Sequence, residues 1–137
     1  MKQKATLNIM FTAGWLKCNQ TRLFKAHGIS GEQYNVLRIL RGQKGNPIGV
    51  NGIQERMLEK NSNASRLIDK LKEKNLVERA GCISDRRSVE IFITEAGQTL
   101  LQQLDDVILD QEKKLIRLSD EEADQLNNLL DKLRSYN

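Results

Sequence analysis

Two stretches of this chain carry polar side chains at a spacing that suits chemistry, and in both the chemistry is recognition. In residues 81–97, GCISDRRSVEIFITEAG, the side chains of Asp85, Arg86 and Arg87 stand in a loop between stretches that alternate as β-strands do. An arginine fork donates to phosphate oxygens and enters narrow, A·T-rich minor grooves. Arg87 is therefore the candidate for insertion and Arg86 the candidate for a backbone contact. Asp85 would repel a polyanion and is expected instead to order the loop by pairing with an arginine. In residues 61–75, NSNASRLIDKLKEKN, the apolar Ala64, Leu67, Ile68 and Leu71 recur at i, i+3, i+4 and i+7, the stripe of an amphipathic helix. With that stripe turned inward, Ser62, Asn63, Ser65, Arg66 and Lys70 face out. Asparagine can pair with adenine and arginine with guanine, while Ser62, Ser65 and Lys70 suit phosphates or either role.

Bond-breaking chemistry finds no comparable footing. Asp105 and Asp106 are neighbours on a helical pattern and point apart, so they make no paired-carboxylate site. The glycines of residues 42–52 match neither a phosphate-binding loop nor a dinucleotide fingerprint. Cys18 and Cys82 form no CxxC pair and no group with the single histidine, His27, so neither a disulfide framework nor a metal site is indicated. Cys18 reads as a small buried residue, His27 as a partner of a helix end, and Trp15 as core or interface. No enzyme and no cofactor is expected.

The elements that must position the two recognition stretches can be read around them. Apolar residues make up 39% of the 137 and charged residues 29%, which allows a core and argues against disorder. The net charge of +4 is unevenly spread: residues 1–44 hold eight Lys and Arg against one acid, and residues 88–137 hold five against eleven acids. A basic front suggests an anionic partner for one side of the molecule. The run LNIMFTAGWLKCNQ is interrupted by Lys17 and Asn19, and reads as a buried helix, neither signal peptide nor membrane span, so no membrane partner and a cytoplasmic location are expected.

Residues 5–26 predict a helix with two apolar faces, one along Leu7, Met10, Phe11, Gly14 and Cys18, the other along Ile9, Ala13, Leu16 and Leu23; Gly28 closes it. Ser30, with Gln33 three residues on, predicts a capping box and a helix whose core is Val36, Leu37 and Leu40, with Tyr34 beside them. The segment Gly42–Gly49 reads as a connection, and Val50–Leu58 as a short helix. Asn61 or Ser62 is expected to cap the amphipathic helix, and Asn75 to close it in the left-handed conformation. Leu76–Ala80 and Val89–Thr94 are the expected strands. Glu95 to about Leu118 predicts a long helix, and Ser119-Asp120-Glu121-Glu122 opens a last one with acids at its positive end. A short helix, a tight connection, a second helix and a two-stranded flap describe a winged helix-turn-helix. The fold class is mainly α with a small β-hairpin wing.

Residues 62–97 resemble the recognition helix and wing of MarR-type transcription regulators. That family's pattern runs roughly K-G-L-V-x-R, then D-x-R-R and L-T-x-x-G; here it reads Lys74-Asn75-Leu76-Val77-Glu78-Arg79, Ser84-Asp85-Arg86-Arg87 and Ile93-Thr94-Glu95-Ala96-Gly97. Asn75 stands where the family has glycine, and Cys82-Ile83-Ser84 replaces the usual proline-containing lead-in. The resemblance implies a single 137-residue domain, with a winged-helix lobe at about 30–97 and helical dimerisation regions at about 5–26 and 98–137. It also implies a homodimer joined around Leu7, Met10, Phe11, Leu126, Leu129 and Leu133, binding double-stranded DNA at a pseudo-palindromic operator. The expected function is a repressor relieved by a small aromatic or lipophilic effector, with no ligand-binding residue assigned. In the family's peroxide-sensing branch the reactive cysteine falls near Ile9 of this chain, so that mechanism is not implied. The alternative is a winged-helix interaction module that sequesters another regulator without binding DNA; the basic face of residues 60–87 argues against it.

Overall fold

The computed structural model describes residues 1–81 and 89–135. Its elements are α1 (Lys2–Ala26), α2 (Gly31–Gly42), β1 (Ile48–Gly49), α3 (Val50–Arg56), α4 (Ala64–Glu73), β2 (Val77–Ala80), β3 (Glu90–Ile93), α5 (Glu95–Leu115) and α6 (Asp120–Arg134). The chain divides into two compact units, Met1–Leu104 and Asp105–Asn137.

In the first unit, α2, α3 and α4 close over a small antiparallel sheet ordered β1-β3-β2. Val36, Leu37, Ile53, Ile68, Leu71 and Ile91 form the centre of its core, each fully buried, with Leu101 and Leu104 of α5 buried in the same unit. Burial of this kind stabilises by roughly 1.5–3 kcal/mol per large aliphatic side chain, and it fixes which face of each helix looks outward.

The helix ends follow from local chemistry. Ser30 Oγ accepts from Gln33 N–H while the Gln33 side chain accepts from Ser30 N–H, a complete capping box. Ser119 and Glu122 make the same reciprocal pair at α6. α1 stops at Gly28, whose φ of 77° is free for glycine; Gly28 N–H donates to Lys25 and Ile29 N–H to Phe24, a Schellman closure. α4 stops in the same way on Asn75 at φ 59°, with Asn75 N–H donating to Lys72 and Leu76 N–H to Leu71. The expected left-handed Asn75 is therefore present. His27 occupies the C-cap of α1 with Nδ1 3.0 Å from the Leu23 carbonyl oxygen, a partner of the helix end as its position suggested.

Four readings need correction. The sheet has three strands, because Ile48 and Gly49, expected to be plain connection, pair with Ile91 and Glu90. A two-residue strand shows no alternation, so periodicity cannot find it. The cap of α4 is Asn63, not Asn61 or Ser62: a turn runs over residues 58–61 and starts the helix two residues later than the first candidate. The long helix ends at Leu115, before the Ser119 box starts the next one. Cys18, expected buried, is exposed. The reason lies in α1 as a whole, in which Phe24 is the buried residue; Phe24 stacks on Tyr34 with ring centroids 4.5 Å apart. Leu16 and Leu23 are half-buried, and most other apolar residues of the helix are exposed. Leu7, Met10, Phe11 and Trp15 are all exposed, Trp15 at 42% where core was one of its two expected places. In the second unit Leu126, Leu129 and Leu133 of α6 are exposed as well. Among the described residues, no helix is long and apolar enough to cross a membrane.

Candidate nucleic-acid interface

α4 is short, and side chains from outside it define where it begins. Asn63 Oδ1 accepts from Arg66 N–H at 3.1 Å, satisfying one of the N–H groups that a helix start leaves open. Ala64 N–H donates to Gln54 Oε1 of α3 at 3.0 Å, and Gln54 Nε2 donates to the Lys60 carbonyl at 3.3 Å. One glutamine thus joins the first helix of the motif, the turn and the second helix. Asn35 of α2 braces the same turn by accepting from Leu58 N–H at 2.9 Å. Neither Gln54 nor Asn35 is singled out by the sequence, since nothing in the spacing around either one marks it.

With its start fixed, α4 buries Ala64, Leu67, Ile68 and Leu71, the expected stripe. Ser65, Arg66 and Lys70 are exposed on the opposite side, with Asp69 and Lys72. Arg66 and Lys70 flank a cleft of about 360 Å³ whose far wall is the first turn of α2, at Ser30, Glu32 and Gln33. Two cations one helical turn apart, beside exposed hydroxyl and amide groups, can bind a row of anions or the acceptor edges of bases. Asn63 is exposed, but its side-chain oxygen is engaged as the cap, which leaves the amide nitrogen as its outward-acting group. Ser62 departs from the expected outward arrangement: its Oγ is buried and has no hydrogen-bond partner among the described residues. Asp85, Arg86 and Arg87 lie outside the described residues.

One ion pair crosses from α1 to the turn before α4: Lys17 Nζ meets Glu59 Oε1. The hydrogen bond and charge of Glu59 raise the Lys17 ammonium above its ordinary value, and the same contact from Lys17 lowers the Glu59 carboxyl.

The comparisons with known proteins agree with this geometry. The sequence profile described as the MarR family matches residues 27–88, from the end of α1 into the hairpin. The structure of a MarR/EmrR family transcriptional regulator from Acinetobacter sp. ADP1 is 30% identical, with 97% of this chain and 94% of that chain covered and a TM-score of 0.76. The chain belongs to the MarR family. A MarR transcription factor from Planctomyces limnophilus is likewise 30% identical, over 96% of each chain at a TM-score of 0.75. The S. aureus MepR–DNA complex shares the fold at 22% identity, over 93% of this chain and 92% of that one, at a TM-score of 0.76.

Within this MarR-family chain, the motif most legible in the sequence proves to be scaffold. Lys74 Nζ donates to the Gly28 carbonyl and, at 3.3 Å, to Gln33 Oε1, tying the end of α4 to the α1–α2 corner. Leu76 and Val77 are core. Thr94 Oγ1 accepts from Gly97 N–H at 3.0 Å, capping α5, and donates to the Asn75 carbonyl at 2.8 Å. Gly97 is required by close approach: a Cβ there would collide with the Leu76 carbonyl oxygen and come within 2.7 Å of Ile93 Cγ1. These residues hold the helix and hairpin together, and none of them lies among Ser65, Arg66 and Lys70 on the outward face of α4.

Proposed function

We propose that this MarR-family regulator is a homodimeric, sequence-specific DNA-binding repressor of the cytoplasm, without catalytic activity, which releases its operator when a small aromatic or lipophilic effector binds. The observation that carries the reading is the outward face of α4. Its start is fixed by Asn63 and Gln54, its inner stripe is buried, and Ser65, Arg66 and Lys70 are presented together. Arg66 is assigned to a guanine edge, Ser65 and Lys70 to phosphates, and Asn63 to a single donor contact through its amide nitrogen. Ser62 contributes through its place at the helix entry, its hydroxyl being buried. Arg86 and Arg87 are assigned to the backbone and the minor groove, and Asp85 to ordering their loop, on the sequence alone. The fold shared with MepR, a protein whose structure with DNA is known, supports the reading.

The homodimer is supported by the apolar residues that find no cover within one chain, Leu7, Met10 and Phe11 on α1 and Leu126, Leu129 and Leu133 on α6. Two-fold symmetry of the protein demands two-fold symmetry of the site, with half-sites about one turn, roughly 10 base pairs, apart. Selection from a random duplex pool tests both ideas together. A two-fold symmetric motif with that spacing is expected to be enriched, and a pool left random after repeated rounds overturns the reading.

A further inference from the structure

Arg79 interrupts the pattern of its own strand. Val77 and Arg79 share one face of β2, and their partners on β3, Ile93 and Ile91, complete it. Val77 and Ile91 are fully buried, so Arg79 stands where the alternation calls for an apolar residue. Arg79 is exposed as a residue, so its charge stays near water, and what its place beside Ile91 asks for is a partner that holds the side chain over the strand. Here Nη2 reaches across to Oδ1 of Asp69 on α4, and the Arg79 side chain keeps 31% of its exposure. The other strand of the hairpin is held at its end by the α4–β2 turn, where Thr94 donates from N–H to Leu76 O and from Oγ1 to Asn75 O. The corresponding link on β2 is the Asp69–Arg79 pair, and it springs from the same helix that presents Arg66 and Lys70.

We propose that Asp69 and Arg79 form a positioning clamp that keeps the β2–β3 hairpin in register with the outward face of α4, so that helix and hairpin meet one duplex together. This rests on the DNA-binding reading above. Neither residue is assigned a DNA contact, since the charge of each is engaged by the other.

Charge alone and a clamp make opposite predictions at Asp69. Removing an acid from a helix that faces a polyanion tightens binding if the residue acts through its field. If it acts by holding Arg79, the same change weakens binding. The deciding variants are Asp69→Asn and the exchanged pair, Asp69→Arg with Arg79→Asp. In fluorescence anisotropy on operator duplex, Asp69→Asn is expected to weaken specific binding about two- to fivefold, while binding to unrelated duplex stays equal or tightens. The exchanged pair is expected to regain most of the loss, with far-ultraviolet circular dichroism confirming that it folds; should it not fold, Asp69→Asn decides alone. Unchanged or tighter specific binding by Asp69→Asn overturns the clamp, as does a folded exchanged pair no better than the single variants. Wild-type protein that binds no DNA would sink the DNA-binding reading instead. The clamp would then be judged by amide exchange at Glu78 to Ala80, where faster exchange in Asp69→Asn supports it and equal rates overturn it.

Discussion

α1 and α4 both carry apolar stripes, and they differ in where the cover for the stripe comes from. α4 has ten residues and buries four of them within its own chain. α1 has twenty-five, about 38 Å of helix, and buries one. Amphipathic spacing shows that a helix must pack on something, without saying whether the partner is in the same chain. α4 is a finished part of a core, and its polar side is therefore fixed and can recognise. α1 leaves most of its large apolar residues exposed, and the proposed second copy is what would cover them.

The contrast can be broken most forcefully from within α4. Leu71→Ala removes a fully buried side chain and is expected to cost about 2–5 kcal/mol in urea unfolding. Phe11→Ala, at 77% exposure, removes an equally apolar side chain of α1. It is expected to leave secondary structure intact and to shift the monomer–dimer balance in sedimentation equilibrium. If Phe11→Ala unfolds the chain at all concentrations, or leaves association unchanged, the distinction between the two helices is wrong.

A smaller effect probes how α4 is seated. Gly97→Ala forces a Cβ against the Leu76 carbonyl and Ile93, and should cost about 1–3 kcal/mol of thermal stability although residue 97 lies outside α4. Wild-type stability in that variant would mean that the hairpin and α5 can part without strain. Asn63→Ala removes the cap and is expected to cost about 1 kcal/mol, with DNA affinity falling as the start of α4 frays. Asn63→Asp keeps an oxygen for the cap and should restore the stability but not the affinity. Recovery of both would show that the amide nitrogen has no outward role.

The smallest effect concerns the link between α1 and the turn before α4. The folded Glu59 carboxyl lies below its ordinary value of 4.5, so the contribution of the pair is present above that pH and is lost as pH falls through the lowered value. Lys17 lies above its ordinary 10.5, so at the alkaline end the contribution is present below that pH and is lost as pH rises through the raised value. The pair is exposed, and water screens it strongly. Glu59→Gln should differ slightly from wild type in urea midpoint across neutral pH, and the difference should vanish in acid. A difference that persists at low pH would place the effect of Glu59 outside the ion pair.

Most of the helix starts and the main core stripe were legible because their signals are local. Ser30 with Gln33, and Ser119 with Glu122, are two-residue statements of a helix start, and Ala64, Leu67, Ile68 and Leu71 state one face of a helix directly. What escaped was set by tertiary contact. Asn61, Ser62 and Asn63 are all competent caps, and the choice among them belongs to the turn braced by Gln54 and Asn35. β1 exists because Ile48 and Gly49 lie beside β3, and two residues carry no period of their own. Cys18 reads as buried from the sequence because its helix face is apolar, and it is exposed because that face has little cover. The two flanks of the family motif were easy to see and say little about recognition, because Lys74, Leu76, Val77, Thr94 and Gly97 serve packing and closure.

The outward face of α4 is the centre of the account, and one measurement bears on it most directly. The anisotropy of labelled duplex from the gene's own upstream region should be followed at several salt concentrations, with unrelated duplex as competitor, for wild type and Arg66→Ala. The account predicts that wild type binds tightly against competitor, that log affinity falls linearly with log salt at a slope of about −0.9 per neutralised phosphate, and that Arg66→Ala loses discrimination between the two duplexes. Equal discrimination by wild type and Arg66→Ala, or no binding at low salt to that region or to the duplexes recovered by selection, would contradict it.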